Sequence, residues 1–326
     1  MSSLHPTPDL VEAFRADLER LVGAAPALGV AVSGGPDSVA LLLLASAAYP
    51  GRVEAATVDH GLRPESAAEA HFVADLCREL RCPHAILKVE VPDGKAGLQG
   101  EARKARYAAL RVWAEEAGIP FIATAHHADD QAETLLMRLL RGSGVGGLSG
   151  IRAVRAEGPS LTIVRPLLSS LRYDLRTLVE AAGINPTHDP SNRDERFDRV
   201  ALRRLLAEHP RFEQRRLARS ASALAEAEEA LDWQADRLFE ERCAEALGEW
   251  RIDPESLPRE MKRRLLVRVI SRIHQDADLA VSWRGKEDVE GLLAALEGGG
   301  AATRAGVMAS SKRGAWHLKP APPRRY

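Results

Sequence analysis

Short apolar runs at residues 28–32, 53–58, 85–91 and 119–124 are separated by longer stretches in which apolar and polar positions mix. Runs of this length bounded by turn residues predict buried strands. The intervening stretches at 36–48, 65–80 and 98–117 predict helices. Strand and helix alternating in this way build a doubly wound parallel α/β sheet through right-handed crossovers. Ligands of such sheets bind beyond the carboxyl ends of the strands, so the segment that follows each strand is where chemistry is expected.

The first of those segments is Ser33-Gly34-Gly35-Pro36-Asp37-Ser38. Gly34 and Gly35 lack the Cβ that would hold the backbone away from an oxyanion, and Ser33 and Ser38 add hydroxyl donors. Pro36 suits a first helical turn, whose positive dipole end would face the anion. The turn is therefore a phosphate-binding candidate, yet it has no Gly-Lys-Ser/Thr and is not a Walker A loop. Asp37 beside phosphates is repulsive without an intervening cation, which points to a Mg²⁺ ligand.

Two more segments converge on the same edge. VDHGLR at 58–63 offers Asp59, His60 and Arg63 where an adenosine would lie. TAHHADD at 124–130 leads into a helix that reaches Leu140 and carries His126, His127, Asp129, Asp130 and Glu133. Asp130 and Glu133, three apart, share one helical face and suit a metal ion or an ammonium group, while Asp129 or Asp130 can equally cap the helix. The spacing lacks the ligand pattern of zinc enzymes. EARKARY at 101–107 places Arg103 and Arg106 to meet phosphates, or leaves them as solvated charges. The five glycines of 141–151 predict a flexible loop, and HDPSN at 188–192 predicts a sharp turn.

The second half has a different texture. Leu217, Leu224, Leu231 and Leu238 recur every seven residues in an Ala- and Glu-rich stretch, predicting one long linker helix with an apolar seam; coiled-coil homodimerisation is the second reading of that seam. A smaller α+β C-terminal domain is expected beyond it, with helices at 262–273 and 286–296 and a hairpin at 303–318. Leu265, Leu266, Val269, Ile270 and Ile273 mark one face of the first helix, and Arg264, Arg268 and Arg272 fall four apart on another. That ridge, like the run Arg203, Arg204, Arg211, Arg215, Arg216 and Arg219, reads either as a phosphate-binding surface or as a solvated face. The first domain is placed at 1–212 and the linker helix with the smaller second domain at 213–326.

Composition sets limits. With 326 residues, 45% of them hydrophobic, the chain can bury two cores. Its net charge of −1 leaves any nucleic-acid binding to local basic patches. Three cysteines without a C-x-x-C pair support neither a disulfide framework nor a metal cluster. The lack of a long apolar run or a secretion-type start leads to the expectation of a cytoplasmic protein without membrane contact.

SGGPDS, VDHGLR, EARKARY, TAHHADDQAETLLMRLLRGSG, RPLL and DPSNRDERFDR, in this order and spacing, closely resemble the tRNA(Ile)-lysidine synthase family. The resemblance covers roughly residues 30–205. It implies a PP-loop ATPase fold of the adenine nucleotide alpha hydrolase type, use of ATP and Mg²⁺, and as substrates L-lysine and an isoleucine tRNA with a CAU anticodon. It implies that Ser33 to Ser38, with Asp59 and His60, bind ATP, and that Asp37 holds the metal. Asp130, Glu133 and His127 would bind lysine, and Arg103 or Arg106 would steady the α-phosphate. Arg199, Arg203, Arg204, Arg264, Arg268 and Arg272 would contact tRNA. One departure stands out: the family usually reads Phe-x-Arg-Asn where this chain has Phe197-Asp198-Arg199-Val200. A PP-loop tRNA thiolase and a non-catalytic nucleotide- or RNA-binding protein are the alternatives; a thiolase of the cysteine-dependent kind would want cysteines at the ATP site.

Overall fold

The structure, a computed structural model, describes every residue except 1–3, 25–26, 62–65, 93–96, 188–197, 210, 278, 280, 284, 286–287 and 323–326. Arg63 and the HDPSN turn, which the sequence singled out, lie outside the described residues, as does the side chain of Arg199. The chain divides into two compact units, Met1–Ala225 and Glu226–Tyr326. The division falls within a long helix, whereas the sequence placed it at 212.

In the first unit the strands are β1 (Leu28–Ala31), β2 (Val53–Asp59), β3 (His84–Lys88), β4 (Phe121–Ala123), β5 (Val154–Ala156) and β6 (Thr162–Val164). They form one sheet in the order β3-β2-β1-β4-β6-β5, parallel except for the β5 edge strand. The order reverses between β1 and β4, so the crevice above those two strands is the topological switch point. The helices are α1 (Pro8–Val22), α2 (Pro36–Ala48), α3 (Ser66–Glu79), α4 (Gly97–Glu116), α5 (Ala128–Leu140), α6 (Val145–Leu148), α7 (Arg172–Ala181), α8 (Asp198–Glu208) and the first part of α9 (Gln214–Arg242).

Each face of the sheet has its own core. On one face α2, apolar almost all round, lies between the sheet and helices α1 and α7, with Leu41, Leu42 and Leu43 fully enclosed. On the other, Tyr107, Leu110 and Trp113 of α4 pack on Ala31, Ala56, Ile122 and Ile163. Cys77 and Cys82 are buried in the α2-side core, with Cys82 entering β3 at the end of the sheet away from the switch point.

The glycine-rich 141–151 segment differs from the flexible loop that its composition predicts. It contains the short helix α6, and α5 holds it down: Arg138 Nη1 donates to Gly147 O at 2.6 Å and to Gly150 O at 2.8 Å. Gln131 both donates to and accepts from the Ile151 backbone, at 2.8 and 2.6 Å. Gly150 has φ +66° and a Cβ there would stand 2.2 Å from Gln131 Oε1, so the glycine permits the clamp.

The second unit continues α9 and adds β7 (Cys243–Ala246), β8 (Glu249–Ile252), α10 (Arg259–Asp276), α11 (Glu290–Glu297), β9 (Ala301–Arg304), β10 (Val307–Lys312) and β11 (Ala315–Pro320). Its sheet is antiparallel in the order β7-β8-β11-β10-β9. The apolar face expected of α10 is the one buried, Leu265, Leu266, Val269, Ile270 and Ile273 packing with Leu292, Leu293, Val307, Trp316 and Leu318. Leu238 is buried in the same core and Leu231 packs against it, so this part of the heptad seam is satisfied within the unit.

Candidate active site

β1 ends directly below the phosphate-binding candidate. Gly34 takes φ +86°, and a Cβ there would meet Thr187 Oγ1 at 2.8 Å, so both backbone conformation and space require glycine. Thr187 N donates to Gly34 O at 3.0 Å, which ties the chain preceding the HDPSN turn to the loop. Ser38 Oγ accepts from Ser33 N at 3.1 Å and donates to Gly35 O at 2.9 Å, fixing the turn as α2 begins. Among the described residues a Cβ on Gly35 would touch only Ser33 Oγ, at 3.7 Å, so these residues leave space over the helix N-terminus. That space, the hydroxyls and the helix dipole together fit a phosphate group.

β4 ends beside β1 and delivers the histidine–carboxylate segment to the same crevice. His127, 3% exposed, caps α5. Its Nε2 lies 3.5 Å from Asp37 Oδ2 and 3.6 Å from Asp130 Oδ2, and its Nδ1 lies 3.6 Å from Asp129 Oδ2. Burial opposes the charged form, but Asp129, Asp37 and Asp130 outweigh it and raise the His127 pKa to about 10. The imidazolium thus holds three carboxylates together across the switch point. Asp130 also caps α5, while Asp129 caps α7 instead of the helix that carries it. Asp130 Oδ2 accepts from His127 N at 3.1 Å, and Asp129 Oδ2 accepts from Arg172 N, at the start of α7, at 2.9 Å.

Asp37 Oδ1 is buried without a hydrogen-bond partner, while Oδ2 faces His127 and, at 3.9 Å, Arg172 Nε. Among the described residues no three His, Cys, Asp or Glu side chains form a metal cage. One unmet carboxylate oxygen beside a phosphate site nevertheless fits Mg²⁺, which takes one or two carboxylates and completes its shell with phosphate oxygens and water.

Glu133 sits one helical turn beyond Asp130 and is 2% exposed. Arg203 of α8 grips it with both arms, Nε to Oε1 at 2.5 Å and Nη2 to Oε2 at 3.3 Å. A guanidinium therefore occupies the carboxylate that the sequence assigned to lysine. Seventy positions separate the partners, so no local spacing announces the pair.

At the end of β2, Asp59 Oδ1 accepts from Gly61 N at 2.9 Å, and hydrogen bonds from Ser66 and Gly61 hold its pKa below the usual carboxylate range. His60 is pushed down by burial and by the neighbouring Arg106. Burial and Arg103 likewise press Arg106 below the usual guanidinium range. Arg103 lies over Tyr107, its Cζ 5.0 Å from the ring centroid. Sequence reasoning gave no role to Thr187, Arg172, Tyr107, Arg155 or Arg165. Arg165 and Tyr107 carried a signal, through the RPLL and EARKARY motifs.

The arginines proposed for tRNA divide. Arg204 is exposed and pairs with Glu208 at 2.7 Å. Arg264, 11% exposed, meets Glu228 at 2.6 Å, Asp232 at 2.7 Å and Glu260 at 2.9 Å. Arg268 meets Asp236 at 2.7 Å and Asp232 at 3.2 Å. The basic ridge of α10 is thus matched by an acidic ladder on α9, while Arg272 is exposed and makes no ion pair among the described residues.

Residues 10–209 match the PP-loop domain family. The fold of the first unit is shared with solved structures: a U34-tRNA thiolase from Methanococcus maripaludis superposes with a TM-score of 0.53 at 17% identity, over 67% of this chain and 79% of that one. Sequence relationship is much nearer elsewhere. The chain is 45% identical to tRNA(Ile)-lysidine synthase of Novosphingobium aromaticivorans over 314 residues, 96% of this chain and 94% of that protein. The corresponding protein of Zymomonas mobilis is 44% identical over 76% of this chain and 75% of its own length. That of a Bradyrhizobium strain is 40% identical over 95% of both. Relatedness at this level, running through both units, makes the chain a member of the tRNA(Ile)-lysidine synthase family.

Proposed function

We propose that the chain ligates L-lysine to C2 of the wobble cytidine of an isoleucine tRNA with a CAU anticodon, consuming ATP and releasing pyrophosphate and AMP. Cytosine C2 is a urea-like carbonyl that resists an amine, so its oxygen must first become a leaving group, and adenylation achieves that. The observation that carries the reading is that His127 Nε2, at the start of α5, stands 3.5 Å from Asp37 Oδ2 of α2 and 3.6 Å from Asp130 Oδ2, over the β1/β4 switch point. A nucleotide-activating turn and an amine-binding carboxylate are thereby brought to one place.

In this reading the turn from Ser33 to Ser38 binds the pyrophosphate portion of ATP, and Asp59 and His60 lie on the adenosine side. Asp37 holds Mg²⁺, which when bound neutralises charge on the phosphates. Arg106 faces the α-phosphate as the cytidine oxygen attacks it. Free lysine is mostly ammonium at neutral pH, with a pKa of ~10.4, and the ammonium has no lone pair. Asp130 attracts it and Glu133, once released from Arg203, accepts its proton, so lysine binding at Glu133 exchanges one cation for another. His127 keeps Asp37, Asp129 and Asp130 in place. Arg199, Arg203, Arg204 and Arg272 are the tRNA-facing set; Arg264 and Arg268 hold α9 to α10. No cysteine takes part, in keeping with the burial of Cys77 and Cys82 in the core. A tRNA substrate makes the cytoplasm the proposed location of the protein; no helix among the described residues is long and apolar enough to cross a membrane.

The test is pyrophosphate release together with incorporation of labelled lysine, using ATP, Mg²⁺ and a transcript of isoleucine tRNA with a CAU anticodon. The methionine tRNA with the same anticodon is the control. Lysine incorporation confined to the isoleucine transcript is expected. Pyrophosphate release without lysine incorporation would sink the ligase reading and favour another activated-base chemistry.

A further inference from the structure

Three arginines gather round Tyr107 on the α4 face of the sheet. Arg155 of β5 stands opposite Ile163 of β6 in register, and Arg165 follows Ile163 by two positions, so both project to the face on which Ile163 meets α4. Arg155 Cζ lies 4.6 Å from the Tyr107 ring centroid and Arg103 Cζ 5.0 Å from it. Arg165 is 3% exposed and lies in the electrostatic reach of Tyr107; its Nη1 donates to Arg152 O at 2.6 Å.

The cluster has more donors than it uses. Arg165 Nε and Arg155 Nε are buried without hydrogen-bond partners. Glu157 pairs with Arg155. Burial lowers the Arg165 pKa and the neighbouring Arg155 and Arg103 lower it further, so the positive field at the site is incompletely balanced. Cation–π contact with Tyr107 attracts the guanidiniums but does not supply the missing acceptors. An oxyanion with two free oxygens supplies both the charge and the acceptors for planar guanidinium forks.

We propose that Arg103, Arg155 and Arg165, organised by Tyr107, form a subsite for an RNA backbone phosphodiester. The subsite rests on the RNA substrate of the proposed function. The phosphates of ATP are proposed to sit at the turn that leads into α2, which packs on the other face of the sheet from α4; of the α4 arginines Arg106 serves the nucleotide, which leaves Arg103 with Arg155 and Arg165 for another anion. The Arg155 side chain is 37% exposed and Arg103 is exposed, so the site opens to solvent as a passing polymer requires. Phosphate contacts of this kind fix register and leave base identity to other groups.

Binding of the isoleucine tRNA transcript without ATP, measured over a salt series, tests the subsite. Arg155→Gln should weaken binding about three- to tenfold and reduce the slope of log K against log salt by about 0.7–0.9, the signature of one lost phosphate contact. Arg155→Lys should keep the slope. Tyr107→Phe, which retains the ring and removes the hydroxyl, should weaken binding two- to threefold, and the KM for ATP should be unchanged in all three. Unchanged RNA affinity and slope in Arg155→Gln would overturn the subsite. A raised KM for ATP with normal RNA binding would reassign the anion to the nucleotide, and a raised KM for lysine alone to an amino-acid carboxylate; either overturns it. A fall in slope for Arg155→Lys equal to that for Arg155→Gln would mark a structural loss and overturn it too. Wild-type protein that binds the transcript yet incorporates no lysine would sink the proposed ligase function while leaving the subsite standing.

Discussion

The two units hold their charged groups in opposite states. In the second, the guanidiniums of Arg264 and Arg268 are matched to Glu228, Asp232 and Asp236 across two helices. In the first, Asp37 Oδ1, His60 Nδ1, His127 Nδ1 and the Nε atoms of Arg155, Arg165 and Arg172 are buried without hydrogen-bond partners. Every such atom among the described residues belongs to the first unit. An unmet buried polar group costs about 1–3 kcal/mol, so a fold retains several together only where something else satisfies them. Ser46 and Tyr49 are two further cases, and they line a separate cavity of about 330 Å³ below α2. The remaining groups cluster mainly at the switch point and around Tyr107, the two places to which the proposals above assign substrate.

The largest break in this contrast should come from Asp37→Asn. The variant preserves shape and removes the charge that faces His127, so the melting temperature should change little. Pyrophosphate release should fall on the order of 10²–10³-fold, the usual loss when a preorganised electrostatic group is removed. Release at the wild-type rate would end the assignment of Asp37 to metal and phosphate chemistry.

Arg264→Ala should do the reverse. It leaves Glu228, Asp232 and Glu260 facing one another beside a core helix, and breaking a buried pair from one side costs about 3–5 kcal/mol. The second unit's unfolding transition should drop by roughly 10–20 °C. Replacing both partners, Arg264→Met with Glu228→Leu, should recover much of the loss, because the apolar pair leaves fewer charges to desolvate. A wild-type melting curve for the single variant would show the ladder to be ornamental.

Arg203→Ala lies between the two classes. Glu133 would be left buried without its main cation, destabilising the first unit by about 2 kcal/mol. If the guanidinium competes with the substrate ammonium, the KM for lysine should fall several-fold in protein that remains folded. A raised or unchanged KM would show instead that Arg203 positions Glu133 and does not exclude the substrate.

What could be read in the sequence follows from the distance between partners. β1, the Ser33–Ser38 turn and α2 lie side by side in the chain, and their geometry is as the local pattern predicts. Asp130 and Glu133 share one α5 face for the same reason. The Glu133–Arg203 pair, the cap from Asp129 to Arg172 and the closure of Thr187 on Gly34 each join distant segments, and no periodicity encodes them. β5 and β6 are three residues each, too short to show an alternation. The α10 ridge stayed open between two readings for a physical reason: the carboxylates that pair with Arg264 and Arg268 stand on α9, far from the helix's own pattern.

Arg272 offers the smallest and most discriminating comparison, because it shares a helix and a spacing with Arg264 and Arg268 but differs from them in pairing. It is exposed and ion-pair-free among the described residues, whereas Arg268 already meets two carboxylates. An arginine held by internal carboxylates gains little from a phosphate, since the new contact replaces an existing one. Arg272→Ala should therefore weaken tRNA binding by about two- to threefold and lower the salt slope by about 0.7–0.9, while Arg268→Ala should leave the slope unchanged. Equal slopes for both variants and the wild type would remove α10 from the RNA interface. A lower slope for Arg268→Ala would show that RNA binding opens the acidic ladder, and would move the second unit from a satisfied scaffold to a second electrostatic partner of the tRNA.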